Sequence, residues 1–168
     1  MSILSSDIKF YLSGGASNAD PNLSLGGVIS ATAIVDNSLQ NLFDNVSGAE
    51  HTAGDTNYRC LYVKNESLET AYNVKIYIDT NTPAVDDTIN IGKDLAGVNG
   101  TADTIPDEAT APSPAVTFTD APDYANAISL GDIPAGQVYA IWVKRIVSPG
   151  STAQANNSAI LKVSVDTL

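Results

Sequence analysis

The dominant pattern in this sequence is alternation with a period of two, cut at short intervals by glycine and proline. Ile8, Phe10 and Leu12 alternate with Lys9, Tyr11 and Ser13. Val74, Ile76 and Ile78 alternate with Asn73, Lys75, Tyr77 and Asp79, and Leu161, Val163 and Val165 with Lys162, Ser164 and Asp166. Successive strand side chains point to opposite faces, so each run reads as a half-buried strand. Further strands are expected at 28–35, 58–64, 127–130 and 138–147, where β-branched and aromatic residues concentrate. Gly14-Gly15, Gly26-Gly27, the corner at 131–136 and Pro149-Gly150 separate them. Residues 39–43 are one helical turn or an irregular bridge. No longer segment has helical periodicity, which makes an all-β, antiparallel β-sandwich the expected fold.

The short polar link at 65–70 predicts that strands 58–64 and 71–79 pair antiparallel. Residues 80–123 differ in character, with prolines at 83, 106, 112, 114 and 122. They read as a long loop or hairpin excursion, with short strands at 88–91 and 116–118 and a type I′ turn at Asn99-Gly100. The order of the remaining strands, with the Pro-Ala-Gly corner, points to an immunoglobulin-like sandwich, a jelly roll being the alternative. A chain with one cysteine lacks the Cys…Trp…Cys set of antibody domains. The expected organisation is one domain of 168 residues: an N-terminal extended arm with the first strands over 1–57, then the sandwich over 58–168 with 80–123 inserted.

Charge narrows the partners. Eight Lys and Arg against nineteen Asp and Glu give a net charge of −11. Phosphate backbones and anionic membrane surfaces repel such a chain, so neither nucleic acid nor membrane is an expected partner. Only 16% of the residues are charged, so uncharged polar groups must cover much of the surface, and these are cheaper to desolvate against another protein. Residues 1–7 have neither a basic n-region nor an apolar h-region, so folding in the cytoplasm is expected.

Chemistry finds little to stand on. Cys60 and His51 are the only residues of their kinds. Cys60 lies in an apolar run that reads as core, and His51 precedes a turn-like stretch at 52–57. One Cys and one His cannot make a zinc site. The acidic stretch from Asp79 to Asp86 and Asp87 offers oxygen ligands without EF-hand spacing. The paired glycines lack the Lys-Ser/Thr of a phosphate loop. No cofactor, metal or catalytic residue is expected. Tyr72, Tyr77, Tyr124 and Tyr139 would make a sugar platform if they shared one exposed face.

Two stretches carry a resemblance: residues 13–27 (SGGASNADPNLSLGG), and residues 41–50 (NLFDNVSGAE) running on to 54–65 (GDTNYRCLYVKN). They resemble virion structural proteins encoded near the major capsid protein in tailed phages and prophages. That resemblance implies a cement or decoration protein on the capsid exterior, assembled in the bacterial cytoplasm. It implies the major capsid protein as partner and a homo-oligomer, a trimer in first place. A docking arm would then use Ser13, Gly14, Gly15 and Asn18 together with Asn41, Leu42, Phe43 and Asp44. Deleting residues 1–27 would abolish shell binding and leave the sandwich folded. A tail, connector or baseplate component, and a carbohydrate- or receptor-binding sandwich, are the alternatives.

Overall fold

The computed structural model describes residues 3–82, 84, 87–150, 154, 155 and 157–166. Among these residues are seven strands: β1 (Ile8–Leu12), β2 (Asp55–Asn65), β3 (Ala71–Thr80), β4 (Asp87–Val98), β5 (Ile128–Ile133), β6 (Val138–Val147) and β7 (Ile160–Asp166). A short helix, α1 (Gly48–Ala53), precedes β2. The strands form two antiparallel sheets, ordered β1-β2-β6-β4 and β5-β3-β7. The four-stranded sheet takes the sixth strand where the constant-type immunoglobulin sheet holds the fifth, and β3 is the centre of the other sheet.

The inner faces of the two sheets enclose the main core. Leu61, Val63, Ile141 and Val143 of the four-stranded sheet meet Val74, Ile76 and Ile78 of β3, with Leu130 and Ile133 of β5. The expected facing of β3 holds: its even-numbered apolar residues are buried, whereas Asn73, Lys75, Tyr77 and Asp79 lie on the solvent side. β6 matches its expected span.

A second apolar cluster lies on the opposite side of the four-stranded sheet. Tyr58, Cys60 and Tyr62 of β2 and Val138, Ala140 and Trp142 of β6 point away from the main core yet are buried. Leu25, Ile29, Ala33, Ala102, Ile105, Val116 and Phe118 cover them. The molecule thus has three layers: the two sheets and an outer layer of irregular chain drawn from residues 13–33 and 102–118. Strands buried on both faces read as continuous apolar runs, which is how β2 and β6 read.

This layering changes several expectations. The N-terminal segment is not an extended arm. β1 is a strand of the four-stranded sheet, and the chain after it folds back over that sheet because the outer faces of β2 and β6 are apolar and need cover. Residues 28–35 form no strand; they run beside β1, with Leu12 N–H donating to Thr32 O (3.0 Å) and Ile34 N–H to Phe10 O (2.8 Å). β2 and β3 do not pair. Asn65 carries the chain from one sheet to the other: its buried Nδ2 donates to Glu69 O (2.8 Å) and to Ile133 O (2.9 Å), and its Oδ1 accepts from Ser67. The link at 66–70 is therefore a corner, not a hairpin.

Residues 80–123 are only partly an excursion. β4 is an integral strand, paired with β6 from Asp87↔Val147 to Lys93↔Ile141. It ends in a turn made by Gly97 (φ 75°) and Asn99 (φ 57°), with Gly100 N–H donating to Gly97 O, and not in the expected hairpin. Residues 116–118 are not a strand; Val116 and Phe118 pack into the outer layer. Thr52 and Ala53 belong to α1 and residues 55–57 to β2, so the stretch expected as a turn is regular structure.

Candidate interaction surface

The two resembling stretches meet at Arg59, the first in the outer layer and the second beside the main core. The first is held by a buried knot of hydroxyls. Ser13 N–H donates to Ser24 Oγ (2.8 Å), and Ser24 Oγ donates to Cys60 O on β2 (2.7 Å). Gly26 N–H donates to Ser13 Oγ (3.0 Å), and Asn18 Nδ2 to Ser13 O (2.6 Å). Ser30 Oγ donates to Asn18 O. Ser13 and Ser24 have no exposed area at all, so each of these bonds substitutes for water that cannot reach the site. Two glycines permit the fold: Gly14 (φ 92°) and Gly26 (φ 93°), where a Cβ would run into the carbonyls of Leu23 and Asp103. Of the residues expected to dock, Ser13 and Asn18 are buried, Gly14 is exposed and Gly15 half-buried.

The second stretch is held by arginines. Asn41 Nδ2 donates to Val35 O (3.1 Å), and Leu42 packs against the main core. The Phe43 ring has two guanidinium groups within reach, Arg59 at 5.4 Å and Arg145 at 4.8 Å. Arg145 Nη1 donates to Asp44 O (2.6 Å), and its Nε donates to Asn57 Oδ1 (2.9 Å). Lys144 and Arg145 lie on opposite faces of β6, Lys144 over the Phe118 ring of the outer layer.

Arg59 joins the two stretches. It is 1% exposed, and its Nη2 donates to Asn22 Oδ1 (3.0 Å) in the first stretch while its guanidinium lies over Phe43 in the second. Nη2 also sits 2.5 Å from Glu108 Oε2. That approach is a charge contact and not an aligned hydrogen bond, so Arg59 Nε and Glu108 Oε2 keep unused hydrogen-bonding capacity. Two shallow clefts flank the ridge carrying Leu23 and Leu25. One, of about 480 Å³, is lined by Gly14, Leu23, Gly26, Val28 and Ile105. The other, of about 430 Å³, is lined by Asn22, Asp44, Arg59, Asp107 and Glu108, with Leu25 common to both.

Sequence reasoning named Asn41, Leu42, Phe43 and Asp44 but missed Arg59 and Arg145, which lie against Phe43 and Asp44, and Asn22 and Glu108, which contact Arg59. The signal was a charged residue inside an apolar strand: a buried arginine in a run like 58–63 requires partners.

Burial pushes the Cys60 thiol up, far from a reactive thiolate. Burial also pushes Tyr62 up to about 12, and its hydroxyl donates to Gly27 O (2.6 Å) and accepts from Ala102 N–H. His51 lies on α1. Asp79 pairs with Lys162 (2.9 Å), and Asp87 accepts from Asn157 (2.9 Å); Asp86 lies outside the described residues. Among the described residues no cluster of three His, Cys, Asp or Glu side chains is placed to hold a metal ion. The four tyrosines do not share a face, since Tyr139 is in the main core. Tyr124 and Tyr77 stand edge-on at 6.3 Å, with Lys75 Nζ 4.5 Å from the Tyr124 ring. No helix of the described residues is long and apolar enough to cross a membrane.

Comparison with known proteins finds no family model that matches the chain, and no characterised protein or solved structure that matches it.

Proposed function

We propose that this chain is a non-enzymatic structural protein of a tailed-phage particle, binding the capsid exterior and bridging neighbouring major capsid proteins. One observation supports an interface on the outer layer. Of the ten large apolar side chains that are exposed among the described residues, Leu4, Leu23, Val28, Val35 and Leu39 lie in the first forty residues. Exposed apolar groups concentrated on one segment mark contact surfaces. Two of them, Leu23 and Val28, line one cleft of the outer layer, and the hydroxyl knot holds the chain around them on the sheet, so docking there would cost little ordering entropy. Full burial of each such side chain contributes about 1.5–3 kcal/mol, and several copies on one lattice multiply a modest single affinity. The net charge of −11 suits a basic partner face.

The test is occupancy on particles. Leu23→Ser with Val28→Ser changes exposed positions only, so the fold is retained while particle-bound protein falls at least tenfold. Unchanged occupancy would refute this surface as the docking face. A carbohydrate-binding reading rests on the Tyr124–Tyr77 pair, and a glycan array lost on Tyr124→Ala would favour it.

A further inference from the structure

The edges of the two sheets are not treated alike. Residues 30–34 run beside β1, and Thr119 pairs with Ile91 of β4 through two backbone bonds of 2.9 Å. β5 is irregular, with a register shift against β3 and Gly131 at φ 78°; bulged edges resist strand addition. β7 pairs with β3, and among the described residues no backbone hydrogen bond reaches its other edge. Its core-facing residues Leu161, Val163 and Val165 are only half-buried, whereas Val74, Ile76 and Ile78 beside them are 0–1% exposed. Among the described residues the main core is less covered on this side.

We propose that the open edge of β7 pairs antiparallel with β7 of a second copy, joining the three-stranded sheets of two molecules into one six-stranded sheet. The sequence of β7 is self-complementary in one register. With the two-fold axis at Ser164, Lys162 stands opposite Asp166 of the other copy, twice by symmetry, and Val163 opposite Val165. Lys162, Ser164 and Asp166 share the outer face, so the charge pairs form in solvent while the valines extend the core. Opposite charges directly across a strand pair are favourable and like charges unfavourable. In the single molecule both heads turn to β3, Lys162 to Asp79 at 2.9 Å and Asp166 to Asn73 Nδ2 at 2.9 Å, so the cross-copy pairs share or exchange these contacts. At 0.15 M salt the screening length is about 8 Å, so the net charges of two copies repel weakly beyond the interface. The pairing is independent of the phage reading and gives a dimer, not the trimer implied by the resemblance.

Ser164→Cys tests it directly. Residues facing each other across an antiparallel pair have Cα atoms about 4.5–5.5 Å apart, within disulfide reach, and Cys60 is buried. Mild oxidation with copper phenanthroline should link the variant into dimers in high yield, while Ser129→Cys on β5 stays unlinked. Light scattering across concentration should give a dimer mass, with the dimer dissociation constant raised about tenfold for Lys162→Asp or Asp166→Lys and largely restored in the double exchange. A monomer at millimolar concentration, equal linking at Ser129, or no rescue in the double exchange would overturn the proposal.

Discussion

Replacing Ser24 with alanine tests whether residues 13–27 are a fixed layer of the fold. The Ser24 hydroxyl accepts from Ser13 N–H at 2.8 Å and donates to Cys60 O at 2.7 Å, and both serines are fully buried. Without it, the Ser13 amide has no partner and no water in reach. An orphaned buried donor costs about 1–3 kcal/mol, and the lost bond to Cys60 about 0.5–1.5 kcal/mol more. The sum, about 1.5–4.5 kcal/mol, is a large part of the roughly 5–15 kcal/mol that stabilises a typical domain. At this size it corresponds to a melting-point drop of about 3–18 °C. Ser47→Ala is the control: it removes an exposed helix cap, whose Oγ accepts from Glu50 N–H at 3.2 Å, and should cost about 1 kcal/mol or less. Urea unfolding of both variants with an unchanged slope measures the difference. A Ser24→Ala loss below about 0.5 kcal/mol, on the scale of ordinary surface changes, would refute the claim that this segment is anchored.

Three other predictions follow from the same layer and its neighbours. Deleting residues 1–27 removes β1 and bares Cys60 and Tyr62, so the product should bind hydrophobic dyes and lose cooperative unfolding; an intact, cooperative sandwich would restore the free-arm reading. Trp142 Nε1 donates to buried Asp94 at 2.7 Å, so Asp94→Ala should cost about 2–4 kcal/mol and Asp94→Asn clearly less, followed by Trp142 fluorescence during unfolding; equal costs would contradict the bond. Lys9, then Tyr11, hold Glu66 down from 4.5 to about 2. The carboxylate is depressed in the folded state, so its contribution is complete above pH 4.5 and is lost as pH falls through 2. NMR titration should place the Glu66 midpoint near 2, and Glu66→Gln should flatten the pH dependence of stability in that window; a midpoint near 4 would contradict the geometry.

Much of the fold was legible in the alternation, because one-sided burial writes itself directly into period two. β3, β6 and β7 were readable residue by residue. Sheet membership was not, since a polar link of this length serves a hairpin and a corner equally. The choice is made by the buried Asn65 amide and its bonds to Glu69 and Ile133, a long-range arrangement without a local signature. β4 was masked by the proline-rich chain that follows it. Gly92, where a Cβ would collide with Val116 and Thr117, shows how closely that chain lies on the strand. The outer layer had a signal that went unused: in 58–63 and 138–143 both faces are apolar, so something must cover the second one. The composition of 13–27 suggested turns and suited a free arm equally well, and the β-branched residues of 28–35 suggested a strand. Its hydroxyl knot depends on pairings across tens of residues, such as Ser24 with Cys60.

The central claim, a structural role on the capsid shell, is tested most directly by copy number in purified particles. Quantitative mass spectrometry would compare this chain with the major capsid protein. The account predicts near parity, as expected for a protein bound across the lattice. A content of a few copies per particle, or none, would contradict it.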